Sequence, residues 1–379
     1  MATEDISINE QEDRLELEEH IFIASQWQLM WWRFRKHKLA VSGAIVLLMF
    51  YFVSLICPFL AAYDPHDIDA ELSLMSPKRI HWFDGWKPSP HVYGLTGERD
   101  KATYKRVYVE DKNIKIPVRF FGEGFEYKLF GIIPSNRHFI TADPGVDGRR
   151  SLFIFGTDLQ GRDLYSQILY GSRISMTIGL IGVALALVFG IGLGGISGFY
   201  GGRIDSVIQR AIEIVRSIPT IPLWMGLAAS LPRDWTVIQV YFAITLILSI
   251  FSWTELARVV RGRFLSLREE DFVMAAELFG ASRLRIIFRH MVPSFYSHII
   301  AASTLAVPEM IISETSLSFL GLGLRPPAIS YGVLLQSAQN VQTVALYPWI
   351  MLPAAFVIVA VLAFNFLGDG LRDAADPYG

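Results

Sequence analysis

Several long stretches of this sequence carry no charge. Leu39 to Tyr63 is uncharged over 25 positions, Ile174 to Gly202 over 29 and Trp235 to Thr254 over 20. About 20 apolar residues of helix cross a bilayer core about 30 Å thick, so each run is long enough to span. The surrounding composition agrees: 52% of the chain is hydrophobic and 18% is charged, whereas soluble domains are roughly 25% charged. Wholly soluble, disordered, collagen-like and disulfide-scaffold folds are excluded. The net charge of −2 names no partner. The single cysteine, Cys57, lies among Leu55, Ile56 and Pro58 and reads as a packed or lipid-facing thiol.

Charge sets the expected orientation. Residues 4–19 are acidic, unlike the basic start of a secretory signal. Trp31-Trp32-Arg33-Phe34-Arg35-Lys36-His37-Lys38 directly precedes the first apolar run. Basic and aromatic residues at the edge of a span place that edge in the cytoplasm. The chain then reads as an all-α polytopic membrane protein with six transmembrane helices, at about 39–61, 175–199, 207–230, 236–257, 295–320 and 346–368. The expected organisation is a cytoplasmic tail 1–38, a first span 39–61, an extracytoplasmic insert 62–172, a five-helix domain 173–370 and a cytoplasmic tail 371–379. The insert reads as small and β-rich. Val107, Val109, Ile114, Ile116, Val118 and Phe120 alternate around an Asp111-Lys112-Asn113 turn, and Gly122-Glu123-Gly124 suggests a second turn.

Several chemistries are missing. No Gly-Lys pair occurs, so the chain has no phosphate-binding P-loop. No His is followed by Glu, and one Cys cannot build a thiolate cluster. Neither a catalytic set nor a metal site is expected. Gly190-Ile191-Gly192-Leu193-Gly194-Gly195 matches a dinucleotide-binding pattern but lies inside an apolar run. Gly182, Ala186, Gly190, Gly194 and Gly198 form a better-motivated ladder, a small-residue face where helices approach closely.

The cytoplasmic loop at about 264–293 is the most informative segment. Ser266-Leu267-Arg268-Glu269 has capping-box form, which predicts a helix starting there. Phe272, Ala275, Ala276 and Phe279 follow at helical spacing, and Gly280 supplies a left-handed stop. Ser282 caps a second helix carrying Arg285, and Pro293 marks the next segment. Such a loop either lies on lipid headgroups or enters a groove on a partner protein. The paired alanines favour the partner.

Ala275-Ala276-xxx-Gly280 with the later Pro293 resembles the EAA loop of ABC-importer permeases. Met274 stands where that motif usually has its first Glu, and Ser294 replaces a frequent Asn. Three further segments are similar to permeases of the dipeptide, oligopeptide and nickel branch: Phe155-Gly156-Thr157-Asp158-Leu159-Gln160-Gly161-Arg162-Asp163, Ser316 to Pro327, and Asn365 to Pro377. The resemblance implies a type I ABC importer permease fold, with the 264–293 loop as coupling helix. Phe272, Ala275, Ala276, Phe279, Gly280, Arg285 and Pro293 would carry the coupling, and Gly156, Thr157, Asp158, Gly161, Arg162 and Asp163 the motif before the second span. It implies a second homologous permease, two P-loop ATPase subunits inside and a substrate-binding protein outside, in a bacterial or archaeal plasma membrane with both termini cytoplasmic. ATP and Mg would be bound by the ATPase subunits, with no cofactor in this chain. Lipid surrounds the chain, and nucleic acid is not an expected partner. Peptides are the expected cargo, with nickel chelates, glutathione and oligosaccharides as alternatives within the branch.

Charges inside the spans admit two readings each. Arg210, Glu213 and Arg216 form either an interfacial cluster or a relay of ATPase motion, with Pro219 and Pro222 marking an irregular turn after them. Glu309, Glu314 and Ser318 either line the translocation pathway or make a buried structural hydrogen bond, and the resemblance favours the pathway. A secondary transporter would require inverted repeats, and no repeat is evident. A membrane-anchored enzyme would require convergent groups, and His66, His81, His91 and His138 lack metal-ligand spacing.

Overall fold

A computed structural model describes residues 26–99, 106–145, 148 and 150–375. The acidic segment 4–19, Asp376 and Pro377 lie outside the described residues. The basic-aromatic flank is helical: α1 covers Gln26–Lys36 and α2, the first apolar helix, Lys38–Leu60. His37 separates them and caps α2, its Nδ1 accepting from the Ala40 amide at 3.1 Å. The other helices are α3 (Leu164–Tyr200), α4 (Gly202–Ser217), α5 (Thr220–Ala229), α6 (Val237–Leu267), α7 (Asp271–Leu278) and α8 (Arg283–Ser294). They continue with α9 (Tyr296–Phe319), α10 (Tyr331–Leu335), α11 (Val341–Leu346) and α12 (Leu352–Ala375). α3 begins at Leu164, well before 173. α12 runs on through the expected tail, and its Ala374 packs with Phe34 and Ala40.

Among the described residues four helical segments are long and apolar enough to cross a membrane: α2, α3, α6 and the stretch Pro348–Ala375 that ends in α12. A fifth crossing exists if α8 and α9, bent by 77°, count as one. The expected span 207–230 is not a single helix. It breaks between α4 and α5, where Ile218 is extended (φ −90°, ψ 131°). The ring of Pro219 drives the residue before it out of helical conformation. The ten residues of α5 are too few to span.

The small-residue ladder is a packing face. A Cβ at Gly182 would lie 2.8 Å from Met310 of α9, one at Gly190 2.8 Å from Leu256 of α6, and one at Gly194 2.5 Å from the Ala257 carbonyl oxygen. α3 is thereby pressed between α6 and α9, and no nucleotide loop exists there. The main core joins these helices to α2 and α12 through Leu47, Met176, Ile178, Leu248, Ile311 and Phe364. Cys57 is buried in a separate cluster with Ala61 and Leu169, so its thiol is packed and does not face lipid.

Between α2 and α3 the chain forms an antiparallel sheet of order β1-β2-β3-β4: His81–Asp84, Lys87–Arg99, Arg106–Leu129 and Ile133–Ala142. The alternating segment is strand, but it does not turn at Asp111-Lys112-Asn113. Its partner is β2, and pairing jumps from Tyr93↔Lys115 to Gly94↔Asp111, which leaves residues 112–114 as a bulge. Gly122-Glu123-Gly124 is likewise no turn but part of β3, whose register against β4 shifts just beyond, between Glu123 and Tyr127. A Cβ on Gly122 would meet Thr141 Oγ1 at 2.1 Å and one on Gly124 would meet His138 Cδ2 at 2.6 Å, so cross-strand side chains account for the glycines. The actual turn is at Phe130 and Gly131.

Lys78 ties this sheet to the segment leading into α3. Its Nζ donates to the Tyr93 carbonyl at 2.9 Å and to the Ser151 carbonyl at 3.2 Å. Burial pushes its ammonium pKa down to about 8. The folded state therefore disfavours the charged form, and this cost disappears as pH rises above 8 towards the ordinary lysine value. The unfolding free energy of the wild type should rise relative to Lys78→Met by roughly 3 kcal/mol between pH 8 and 10.5. Thermal unfolding of both proteins across that range checks it. Parallel pH profiles would contradict it.

Candidate functional site

The loop after α6 is a rigid bracket. The capping box expected at Ser266 does not form, because α6 continues through Leu267 and its helical bonds already use those amides. Glu270 takes the N-cap position of α7 without a side-chain bond, and Asp271 sits in the first turn, where the helix dipole favours an acid. The stop is as expected. Gly280 has φ +74°, and the amides of Gly280 and Ala281 donate to the carbonyls of Glu277 (2.9 Å) and Ala276 (3.0 Å), the paired bonds of a Schellman motif. Ser282 stands at the N-cap of α8 but makes no side-chain cap bond. The stretch Ile286–Met291 is π-helical, and the chain breaks at Phe295, beyond Pro293.

The apolar stripe of α7 divides between two faces. Val273 is buried and Ala276 half-buried, against a cluster that includes Phe199 of α3, Val260 and Phe264 of α6, and Ile286, Ile287 and Met291 of α8. Phe272 and Phe279 point away, and Leu278, which periodicity did not single out, joins them. Leu278 is 88% exposed and Phe279 91%. Leu284 and Phe288 extend this exposed apolar surface onto α8, beside exposed Arg285 and Pro293. Ala276 thus packs in part against its own chain. The run Glu277-Leu278-Phe279, apolar residues just before a helix-stopping glycine, was the available signal for Leu278.

At Gly280 an added Cβ would meet nothing within 4 Å. The cost of a side chain there is therefore only that of the left-handed backbone, about 1–2 kcal/mol. Gly280→Ala should lower loop stability by that amount and leave the spans intact, as amide exchange at residues 276–282 would report. Unchanged exchange would contradict the assignment.

Behind the bracket, Arg261 of α6 binds Asp205 of α4 through two bonds of 2.6 Å, and Ser197 of α3 donates to the same carboxylate. The Arg261 guanidinium holds the Asp205 carboxyl below the usual carboxylate range. Sequence reasoning missed this pair, whose members lie on different helices. Arg210 pairs with Glu213 at 3.2 Å, whereas Arg216 reaches across to Glu255 of α6.

The motif before the second span is a clasp. Thr157 is fully buried, and its Oγ1 donates to the Leu72 carbonyl and accepts from the Met75 amide at 2.8 Å. Asp158 accepts from the amides of Gln160 and Arg162 and from Arg162 Nε at 2.7 Å. Asp163 caps α3, accepting from the Ser166 amide and hydroxyl, and Ser166 Oγ accepts from the amides of Ala62 and Tyr63. Trp349 Nε1 donates to the Thr157 carbonyl at 3.1 Å. Gly156 and Gly161 hold positive φ where the chain crosses Met75 and Asp69. These six residues join the chain after α2, the start of α3 and the approach to α12.

The carboxylates of α9 part company. Glu314 is fully buried; its Oε1 accepts from Ser318 Oγ and Ser330 Oγ, each at 2.8 Å. Ser175 of α3, whose Oγ accepts from the Tyr331 amide, lies 3.5 Å from the other oxygen. Glu314 and Ser318 therefore form a buried hydrogen-bonded knot joining α3, α9 and α10, the structural one of their two readings. Glu309 is exposed, and it lines a cavity of about 180 Å³ between α6 and α9 with Ser252, Glu255 and Ser303.

Four or five helices long and apolar enough to cross a membrane describe a membrane-embedded protein. The family model described as "Binding-protein-dependent transport system inner membrane component" matches residues 190–378, and that of the "N-terminal TM domain of oligopeptide transport permease C" matches residues 25–77. The oligopeptide transport system permease protein OppC of Bacillus subtilis is 38% identical over 224 residues, 59% of this chain and 71% of that protein. OppC of Escherichia coli K12 is 41% identical over 59% of this chain and 72% of its own length. The dipeptide transport system permease protein DppC of Bacillus subtilis is 37% identical over 59% and 68%. A solved chain of the inward-facing MetNI methionine ABC transporter superposes with TM-score 0.44 at 16% identity, over 56% of this chain and 97% of that one. The chain belongs to the binding-protein-dependent transport inner-membrane components, the permeases of ABC importers.

Proposed function

We propose that this chain forms half of the translocation pathway of a peptide importer and does no bond chemistry of its own. Its partners are a second, homologous permease, two P-loop ATPase subunits on the cytoplasmic side and an extracytoplasmic substrate-binding protein. The names of its relatives, oligopeptide and dipeptide permeases, support a peptide cargo. The observation that carries the assembly is the exposed apolar face of Phe272, Leu278 and Phe279 on a bracket otherwise fixed to its own chain. Surface phenylalanines held on a rigid helix are suited to a groove in another protein.

The mechanism follows from what α7 is tied to. An ATPase that grips Phe279 and closes on ATP would displace α7. Val273, Ile286 and Ile287 transfer that displacement to Phe199 of α3 and Phe264 of α6. α8 carries it across the 77° bend into α9, which bears Glu309. ATP and Mg are held by the ATPase subunits. The termini and the 264–293 loop are cytoplasmic, and the sheet lies outside. We place Glu309 on the pathway and Glu314 in the scaffold.

The test is uptake by proteoliposomes holding the whole transporter and its binding protein. ATP-dependent accumulation of labelled peptides supports the reading. Accumulation of a nickel chelate, glutathione or an oligosaccharide with exclusion of peptides would move the cargo elsewhere in the branch.

A further inference from the structure

The sheet between α2 and α3 exposes large apolar side chains that its fold does not need. Among the described residues they form two groups: Trp82, Phe83 and Trp86 around the β1–β2 turn with Phe120 and Phe121 of β3 at the same level, and Phe130, Ile132 and Ile133 at the β3–β4 turn. Trp86 is 101% exposed and Ile132 80%. Soluble surfaces rarely collect such residues without a partner.

The direction of β3 identifies the partner. Val118 packs in one cluster with Ala62, just beyond α2. The ring of Phe121 lies 6.0 Å from Phe59, in the last turn of α2. Phe125 packs on the cluster of Cys57, Ala61 and Leu169. β3 therefore runs beside the end of α2, a helix long and apolar enough to span the membrane. The turn at Phe130 lies beyond Phe125 by roughly 15 Å of strand. The side of α2 not covered by protein is apolar at Met49, Phe52 and Leu55, which is a lipid-facing surface.

The backbone adds a second observation. Phe121 and Phe130 hold φ of +57° and +54°. Bulky residues avoid this region, and they hold it only where the surrounding structure imposes it, as at functional sites. Both phenylalanines belong to the exposed set. Lys128 and Arg137 flank the turn and are exposed, as is Glu126, and long basic side chains can reach lipid phosphates.

The geometry points to the β3–β4 hairpin as a membrane anchor, with Phe130, Ile132 and Ile133 seated among the phospholipids beside α2. The anchor fixes the height of the sheet over the pathway on its side of the membrane. It rests on α2 as a span and not on any cargo, so transport assays and this assignment fail separately.

The experiment uses the assembled transporter in phospholipid nanodiscs, with Cys57→Ala removing the native thiol. Ile132→Cys carries a bimane label, and Lys112→Cys, at the exposed bulge of β3, carries the same label as comparison. Phe130→Cys is a second tip position. Phospholipids brominated near the headgroup end of their chains should quench both tip labels about twofold and leave the bulge label unaffected. Tip labels quenched no more than the bulge label, whether they face water or are shielded by another protein chain, would overturn the assignment.

Discussion

Phe279→Asp should abolish transport while the chain still inserts and folds. The side chain is almost fully exposed in this chain, so its replacement removes no internal contact. Against an ATPase groove it loses a buried phenyl ring, about 1.5–3 kcal/mol, and buries an unpaired carboxylate, which costs more. A loss of at least 3 kcal/mol is over a hundredfold in affinity, enough to release the ATPase at ordinary concentrations. Uptake and ATPase co-purification should fall together, with detergent-extracted yield and unfolding temperature unchanged. Ala276→Asp is the less informative variant. Ala276 packs on the chain's own cluster with Phe199 and Phe264, so a charge there also loosens the bracket. A Phe279→Asp transporter that retains its ATPases would remove the docking role from this surface.

Gly161→Val should prevent accumulation of the folded chain. Gly161 has φ +76°, and a Cβ on it would lie 1.8 Å from the Asp69 carbonyl oxygen and 2.7 Å from the carbonyl carbon. These are backbone atoms, held in the clasp by the Leu72 amide and by Arg150, which donates to the Gly161 carbonyl at 2.9 Å. Left-handed strain and overpacking together cost on the order of 4 kcal/mol, a large fraction of the stability of a typical domain. The measurement is the monodisperse yield and unfolding temperature in detergent beside the wild type. An unfolding temperature within a few degrees of wild type would show that the clasp yields easily.

Four of the spanning segments were legible because a charge-free run has few other uses. Span 207–230 was misread because an apolar count does not register that Pro219 forces Ile218 out of the helix. The bend at Phe295 had Pro293 as its signal, but a proline near a helix start is compatible with either a straight or a bent path. In the insert, alternation gave the strands correctly and the turns wrongly, since Asp111-Lys112-Asn113 has turn composition whether it closes a hairpin or bulges from one strand. The start of α7 was misplaced for a related reason. Ser-x-x-Glu is a cap only where the preceding helix has ended, and α6 had not. Glu314 shows a deeper limit. Its knot is built from Ser175, Ser318 and Ser330, on three separate elements, so no local pattern separates it from Glu309, five residues earlier on the same helix. The motif residues 156–163 were recognised by resemblance, and their work as a clasp became evident only through their partners at Asp69, Leu72, Met75 and Trp349.

The central claim is that the outward face of α7 is where ATPase motion enters this chain. A photoreactive benzophenone side chain at Leu278 tests it most directly, because that position is exposed and touches nothing essential within the fold. Irradiated in membranes containing the complete transporter, it should form one major adduct, with a P-loop ATPase subunit, in a yield that changes when a non-hydrolysable ATP analogue is added. Adducts with lipid alone, or a yield indifferent to nucleotide, would contradict the account.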